Sequence, residues 1–344
     1  MPGTTQSRHA AGLIALHLIG AASGFGLYTV GAPLAWMIGP MLSTAAASSL
    51  PQFRAPPLAL RWCGQLIVAS AVALTLSPEA LRVIADDAFV MLGSAVVSIV
   101  VAILMARSMA RAGLLDPTTS LLALLPGGPA EMATLAAKHG GKADLVALAQ
   151  TFRLSLAVFT VPFLLLAIAP LTDAGALSAA PATSVSAILA LAAAVPVALG
   201  LHRFGIANAF FVAPLIAVGA LALAGLARGP LPFSLVATGQ ILIGVSLGAM
   251  LRPRALAGMG LDLRLALMFS VVLVLLGLGL AAALSGLGVS SFGEMVLANA
   301  AGGVAEMSIA ATNFGFNPAY VSAYHLMRIF LIVPLAEQML RFVV

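Results

Sequence analysis

The chain has 344 residues, of which 62% are hydrophobic and 8% charged. A soluble domain carries about 25% charged residues, and no soluble fold has interior enough for this much apolar surface, so the surrounding solvent is lipid. The net charge of +5 comes from 16 Lys and Arg scattered singly, which build no basic face for nucleic acid, and the lone cysteine, Cys63, excludes an internal disulfide and a cysteine-built metal cage.

The first segment, "MPGTTQSRHAAGLIALHLIG", has the single Arg8 and apolar run of a signal peptide, but the run continues far enough to predict a first membrane helix after a short tail. Apolar runs near 20 residues then predict membrane segments at 11–29, 33–50, 60–77, 88–107, 118–137, 143–169, 182–201, 207–226, 233–250, 264–285, 294–312 and 318–340. The connections are short and hold Pro, Gly and most of the charges, leaving no room for an extramembrane domain. Abundant Ala, Leu, Val and Gly suit closely packed membrane helices. Pro33, Pro40 and Pro214 are expected to break or kink the second segment of each half, and Gly64-Gln65 and Gly239-Gln240 to pack helices together. His17, His139 and His202 have no neighbours at metal-ligand spacing, and Glu337 with Arg341 reads as a surface helix pair.

The chain is duplicated. At an offset of 175, Gly64-Gln65 matches Gly239-Gln240, Pro78 matches Pro253, and "GGPAEM" (127–132) matches "GGVAEM" (302–307). The same offset pairs Ala136, Gly140 and Arg153 with Ala311, Gly315 and Arg328; at 174, Gly31, Ala35 and Pro40 pair with Gly205, Ala209 and Pro214. Two membrane repeats are therefore expected, at 11–170 and 182–341, with a linker at 171–181.

Lys and Arg in short loops favour the cytoplasmic side, which tests the topology. If all twelve segments cross, these residues divide evenly between the two sides. If 118–137 and 294–312 dip in and return, then Arg8, Arg54, Arg61, Arg107, Arg111, Lys138, Lys142, Arg203, Arg252, Arg254, Arg264 and Arg341 share one side, with Arg82 and Arg228 opposite. The predicted fold class is an all-α polytopic membrane protein, with two inverted repeats of about five transmembrane helices, each carrying a re-entrant or broken helix. Both termini are expected on the cytoplasmic side of a bacterial inner membrane.

Backbone broken at membrane depth must be buried in protein or line a wet cavity. Gly127-Gly128 and Gly302-Gly303 supply the breaks, and Pro129 suits the first position of the helix that follows. Glu131 and Glu306 then fall at the third helical position. They admit two readings: a cap on their own helix N-terminus, or an ionisable group facing an interior pathway. Arg153 and Arg328, about a third of the way into the last segment of each half, admit snorkelling to the interface or a bound anion or Glu as partner. Gln150 and His325 lie one turn earlier on the same face, and His325 is a candidate pH-sensitive group.

Two "GGxAEM" segments, each followed after about twenty residues by an Arg on the last segment, resemble the bacterial AbrB-type duplicated membrane protein family over residues 14 to 340. The resemblance implies an inner-membrane protein, carrying the labels "ammonia monooxygenase" and "AbrB family regulator". More distantly, five-helix inverted halves with broken helices resemble transporters of the sodium/proton antiporter and bile-acid symporter type. A monooxygenase needs clustered His, carboxylate or Cys ligands, and five scattered His and one Cys do not form such a set. No catalytic residue, metal or cofactor is expected. The expectation is a secondary transporter for a small polar or anionic solute. Gly127, Gly128, Gly302, Gly303, Arg153, Arg328, Gln150 and His325 would bind it at the repeat interface, and Glu131 and Glu306 would couple a proton or cation. The half-helix N-termini would present N–H groups to an anion. The alternative is a membrane-embedded sensor acting indirectly on gene expression. Expected partners are the lipid bilayer and a small solute or ion, not nucleic acid; a homo-oligomer is left open.

Overall fold

A computed structural model describes residues 3–50, 53–168, 184–251 and 260–343, with side chains from residue 11 and excluding that of residue 266. The expected linker 171–181, the Arg8, Arg252 and Arg254 side chains, and Pro253 lie outside the described residues. Within the described residues every regular element is a helix. In chain order they are α1 (Gly3–Thr29), α2 (Ala35–Ala47), α3 (Leu58–Ala73), α4 (Pro78–Asp86), α5 (Ala88–Arg111), α6 (Pro117–Leu124), α7 (Pro129–Lys138) and α8 (Ala143–Ile168). They continue as α9 (Val185–Arg203), α10 (Ala209–Leu223), α11 (Phe233–Met250), α12 (Gly260–Gly286), α13 (Phe292–Asn299), α14 (Val304–Asn313) and α15 (Pro318–Leu340). Seven of the described helices are long and apolar enough to cross a membrane. The chain is a multi-pass, all-α membrane protein.

The backbone repeats as the sequence does. Left-handed Gly113 and Gly140 recur as Gly288 and Gly315 at the same offset of 175, and Gly31 and Leu34 recur as Gly205 and Asn208 at 174. Leu34 and Asn208, with φ of 49° and 52°, are the N-caps of α2 and α10. The chain therefore turns just ahead of these helices, at Pro33 in the first, while Pro40 and Pro214 sit buried inside α2 and α10. Both helices are also shorter than the expected 33–50 and 207–226. Segment 60–77 gives α3 followed by α4, bent from it by 98°. The sequence reading missed α4, although Ser77 caps its N-terminus and Pro78 opens it.

The helices assemble into two compact units, Met1–Leu76 with Ala176–Arg254, and Ser77–Gly175 with Ala255–Val344. Each unit thus takes one piece from each sequence repeat. In the first, small residues set the crossings. Gly64 of α3 lies on Gly239 of α11, where an added Cβ would meet the Gly239 carbonyl oxygen at 2.6 Å, and Gly244 packs on the Met37 carbonyl. The Gly-Gln pairs therefore mark a helix contact, as the packing reading expects. His202 sits among Trp62 and Phe210, whose rings stack at 4.9 Å.

The second unit holds α4–α8 and α12–α15, around a core that includes Met109, Leu121, Leu122, Met132 and Ile332. Here the two broken segments are hairpins. The Thr119 hydroxyl, in the first turn of α6, accepts from the Lys142 amide beyond the end of α7, at 2.8 Å. In the second, the Glu294 carboxylate of α13 accepts from the Asn317 amide beyond α14, at 3.0 Å. Both hairpins therefore close at their bases and turn at the glycine pairs. Their arms of 8 and 10 residues are about 12 and 15 Å long, half the thickness of a bilayer core.

The hairpins enter from opposite ends. The second runs directly into the start of α15 at Pro318. The base of the first touches the far end of that helix, where Lys138 pairs with Glu337 at 2.5 Å. With 23 residues, α15 is about 34 Å long, enough to separate the two bases by a full bilayer core. Glu337 therefore joins Lys138 and His139 instead of the expected Arg341.

Candidate functional site: two arginines at the hairpin tips

Arg153 is the eleventh residue of α8, which starts at the base of the first hairpin. Arg328 is the eleventh of α15, which starts at the base of the second. Ten residues of helix raise each guanidinium's Cα about 15 Å from opposite ends, so both reach the depth of the tips. Neither side chain snorkels: Arg153 is 1% exposed and Arg328 7%. Among the described residues, no carboxylate lies within ion-pair distance of either.

Carbonyl oxygens take the place of a counter-ion. A helix leaves its last carbonyls unpaired and partially negative, and each hairpin leaves such an end inside the protein. Arg153 Nη1 donates to the carbonyls of Leu124 (3.5 Å) and Leu125 (3.1 Å), and Nη2 to Gly127 (3.4 Å). Its Nε reaches the other hairpin, at Ala301 (3.2 Å). Arg328 Nη1 donates to Ala300 at 3.2 Å. The two guanidinium groups thus hold consecutive peptides of one tip.

One turn before each arginine the duplication continues. Gln150 Nε2 donates to the Leu122 and Leu125 carbonyls at 2.7 Å each, and His325 Nε2 bonds the Leu297 carbonyl at 2.9 Å. His325 Nδ1 faces Arg328 Nη2 at 2.9 Å. Arginine has no acceptor to offer, so Nδ1 must accept and Nε2 must carry the proton. Both partners therefore select one neutral tautomer of His325.

Between the tips lies a cavity of about 290 Å³. Its polar end is formed by Arg153, Arg328, Asn299 and Tyr324, and its wall by α5 and α12 residues such as Val97, Val101, Leu273 and Leu276. The tips contribute Leu124, Pro126, Ala298 and Ala301, residues at the C-terminal ends of α6 and α13. This differs from the expected arrangement of N-terminal ends facing a solute. The positive charge at the cavity belongs to side chains, because the nearby helix ends are negative and are neutralised by those same side chains.

The remaining expected site residues stand around this cavity without lining it. Gly127 and Gly302 are covered by Met132 and Met307, and Gly128 and Gly303 by the carboxyl groups of Glu131 and Glu306. Both Glu side chains fold back over the N-cap glycine of their own helix. Glu131 is partly exposed and Glu306 is buried. Gln150 and His325 bind the carbonyls behind the arginines.

Tyr324, on the same helical face as His325 and Arg328, also reaches the cavity, and behind it stands an acid that the sequence reading passed over. Tyr324 Oη lies 3.5 Å from Tyr320 Oη, which donates to the half-buried Asp87 carboxylate at the start of α5. Asp87 and Asp262 are 175 apart, and Asp262 of α12 binds Lys142 ahead of α8 as Asp87 binds Tyr320 in α15. That spacing was the available signal. Among the described residues no three His, Cys, Asp or Glu come together as a metal site.

The family model described as "AbrB: Transition state regulatory protein AbrB" matches residues 8–344. "Uncharacterized protein YhjN" of Bacillus subtilis (strain 168) is 27% identical over 345 residues, covering 92% of this chain and 89% of that protein. No solved structure matches the chain.

Proposed function

The chain belongs to the AbrB family, and from its cavity we propose that it is a secondary transporter for a small anionic solute. The observation that carries this reading is the pair of buried arginines, without a carboxylate partner among the described residues, at a cavity where two opposed hairpins meet. A buried cation is costly unless compensated, and a solute anion supplies the compensation that carbonyl oxygens give only in part. Opposed entry of the hairpins gives the two faces equivalent access to one mid-depth site, the geometry that alternating access exploits.

We assign coupling by a proton or cation to Glu131 and Glu306, one on each hairpin. The same reading places the protein in the inner membrane with both termini cytoplasmic; the basic residues at the base of the first hairpin, where α15 ends, support the cytoplasmic C-terminus. Lys138 and Lys142 pair there with Glu337 and Asp262, close in sequence to Arg341 and Arg264. Purified protein in proteoliposomes should accumulate an anion against a proton or cation gradient. Glu131→Gln and Glu306→Gln should each abolish accumulation while leaving binding intact; normal accumulation by both variants would remove the coupling assignment. The family description, with its word "regulatory", favours a second reading, a membrane sensor of the same anion without turnover. Ligand-induced stabilisation with no uptake into liposomes would select it.

A further inference from the structure

The two arginines are not equivalent, and the difference defines a ligand. Of the five N–H groups of a guanidinium, Arg153 commits four to main-chain carbonyls. Arg328 commits two, to Ala300 and His325, and its Nε is buried with no partner. Arg153 is thus occupied in tying the tips together, while Arg328 lines the cavity with fewer of its donors committed. The other polar groups there are largely engaged. The Ser94 and Ser98 hydroxyls donate to carbonyls of their own helix, and Asn299 Nδ2 donates to Met295. The opposite wall is apolar, and Val97 and Leu276 carry it to the outer surface, where each is almost half exposed.

We propose that the cavity binds a monocarboxylate with an apolar body, its carboxylate on Arg328 and its hydrocarbon against α5 and α12. This rests on the reading of the cavity as the anion site and narrows that anion to one class. A second carboxylate, or the further charge of phosphate, would find only Arg153, four of whose five N–H groups are already bonded to carbonyls of the tips. A neutral molecule of the same shape would leave the buried charge of Arg328 without a counter-ion. A volume near 290 Å³ accepts a short aliphatic chain or one aromatic ring.

The test uses the full chain in detergent, with radiolabelled hexanoate as probe and benzoate, acetate, succinate, phosphate, chloride and hexanol as competitors. Hexanoate and benzoate should bind and raise the melting temperature. Affinity should rise about fourfold per methylene from acetate to hexanoate, the increment expected for burying one CH₂. Hexanol, succinate and phosphate should compete at least about tenfold less well. Arg328→Lys, which keeps the charge but loses the planar fork, should weaken hexanoate about tenfold or more. Leu276→Trp fills the apolar wall away from the hairpins and should abolish binding without lowering the melting temperature, which separates loss of site from loss of fold.

Succinate, phosphate or chloride competing as well as hexanoate would overturn the proposal and leave an anion site standing. Binding of no anion, or equal binding of hexanol and hexanoate, would remove the anion reading with it. The same chemistry in an anionic phospholipid is the rival source: native mass spectrometry showing a lipid that hexanoate does not displace would also overturn the proposal.

Discussion

Gln150 and His325, 175 positions apart, are structural equivalents: each donates from a terminal nitrogen to a carbonyl of its own hairpin, Leu122 or Leu297, and those carbonyls are themselves 175 apart. Two different side chains are interchangeable here because the hairpin demands only a donor at that height. His325→Gln should therefore keep the fold, since Gln offers a donor for Leu297 and an acceptor for Arg328. His325→Ala strands the buried carbonyl and should cost about 1–3 kcal/mol. Denaturation in detergent reads both. Because both His325 nitrogens are committed to the neutral ring, ligand binding should show no step between pH 5 and 8 that His325→Gln removes.

Arg153→Gln and Arg328→Gln should separate stability from binding. Arg153 bonds carbonyls of both tips, so its loss should destabilise by at least about 3 kcal/mol, more than one neutral hydrogen bond supplies. Arg328→Gln should lose less stability and nearly all anion affinity. Equal loss of melting temperature in the two variants would show that the arginines share one structural role.

Glycine substitutions contrast a close helix crossing in the first unit with an open position in the second. Gly64 faces Gly239 so closely that a side chain must push the helices apart, and Gly64→Val should cost about 1–3 kcal/mol. Gly93, in α5, has nothing within 4 Å of an added Cβ, so Gly93→Ala should be neutral or stabilise by up to about 1 kcal/mol. Melting temperatures of the two variants check the contrast directly.

The segments, the duplication, the two interruptions and the buried arginines were legible because rare residue types stand out against apolar sequence. What the arginines bind was not. Sequence spacing offered Glu131 and Glu306 as their partners, but a guanidinium at a hairpin tip meets carbonyls that no residue name advertises. The cavity escaped for a related reason. It is walled by the C-terminal ends of α6 and α13, while the motif lies just beyond them, on the glycines and the helices that follow. The helix α4 was hidden by its length, and Asp87 by its place at a helix junction.

The opposed hairpins give the prediction on which the topology turns. Lys138 and Glu337 are both partly exposed at the base of the first hairpin, 64% and 46% by side chain, so their pairing adds about 1 kcal/mol or less and both tolerate replacement. In a Cys63→Ser background, cysteines at 138 and 337 should form a disulfide under mild oxidation. A single cysteine at 138 should react with an impermeant thiol reagent from one face of sealed vesicles. A single cysteine at Gly288 or Ser290, beside the base of the second hairpin, should react from the opposite face. Labelling of both positions from one face would mean that the hairpins enter together, and the halves would not be inverted.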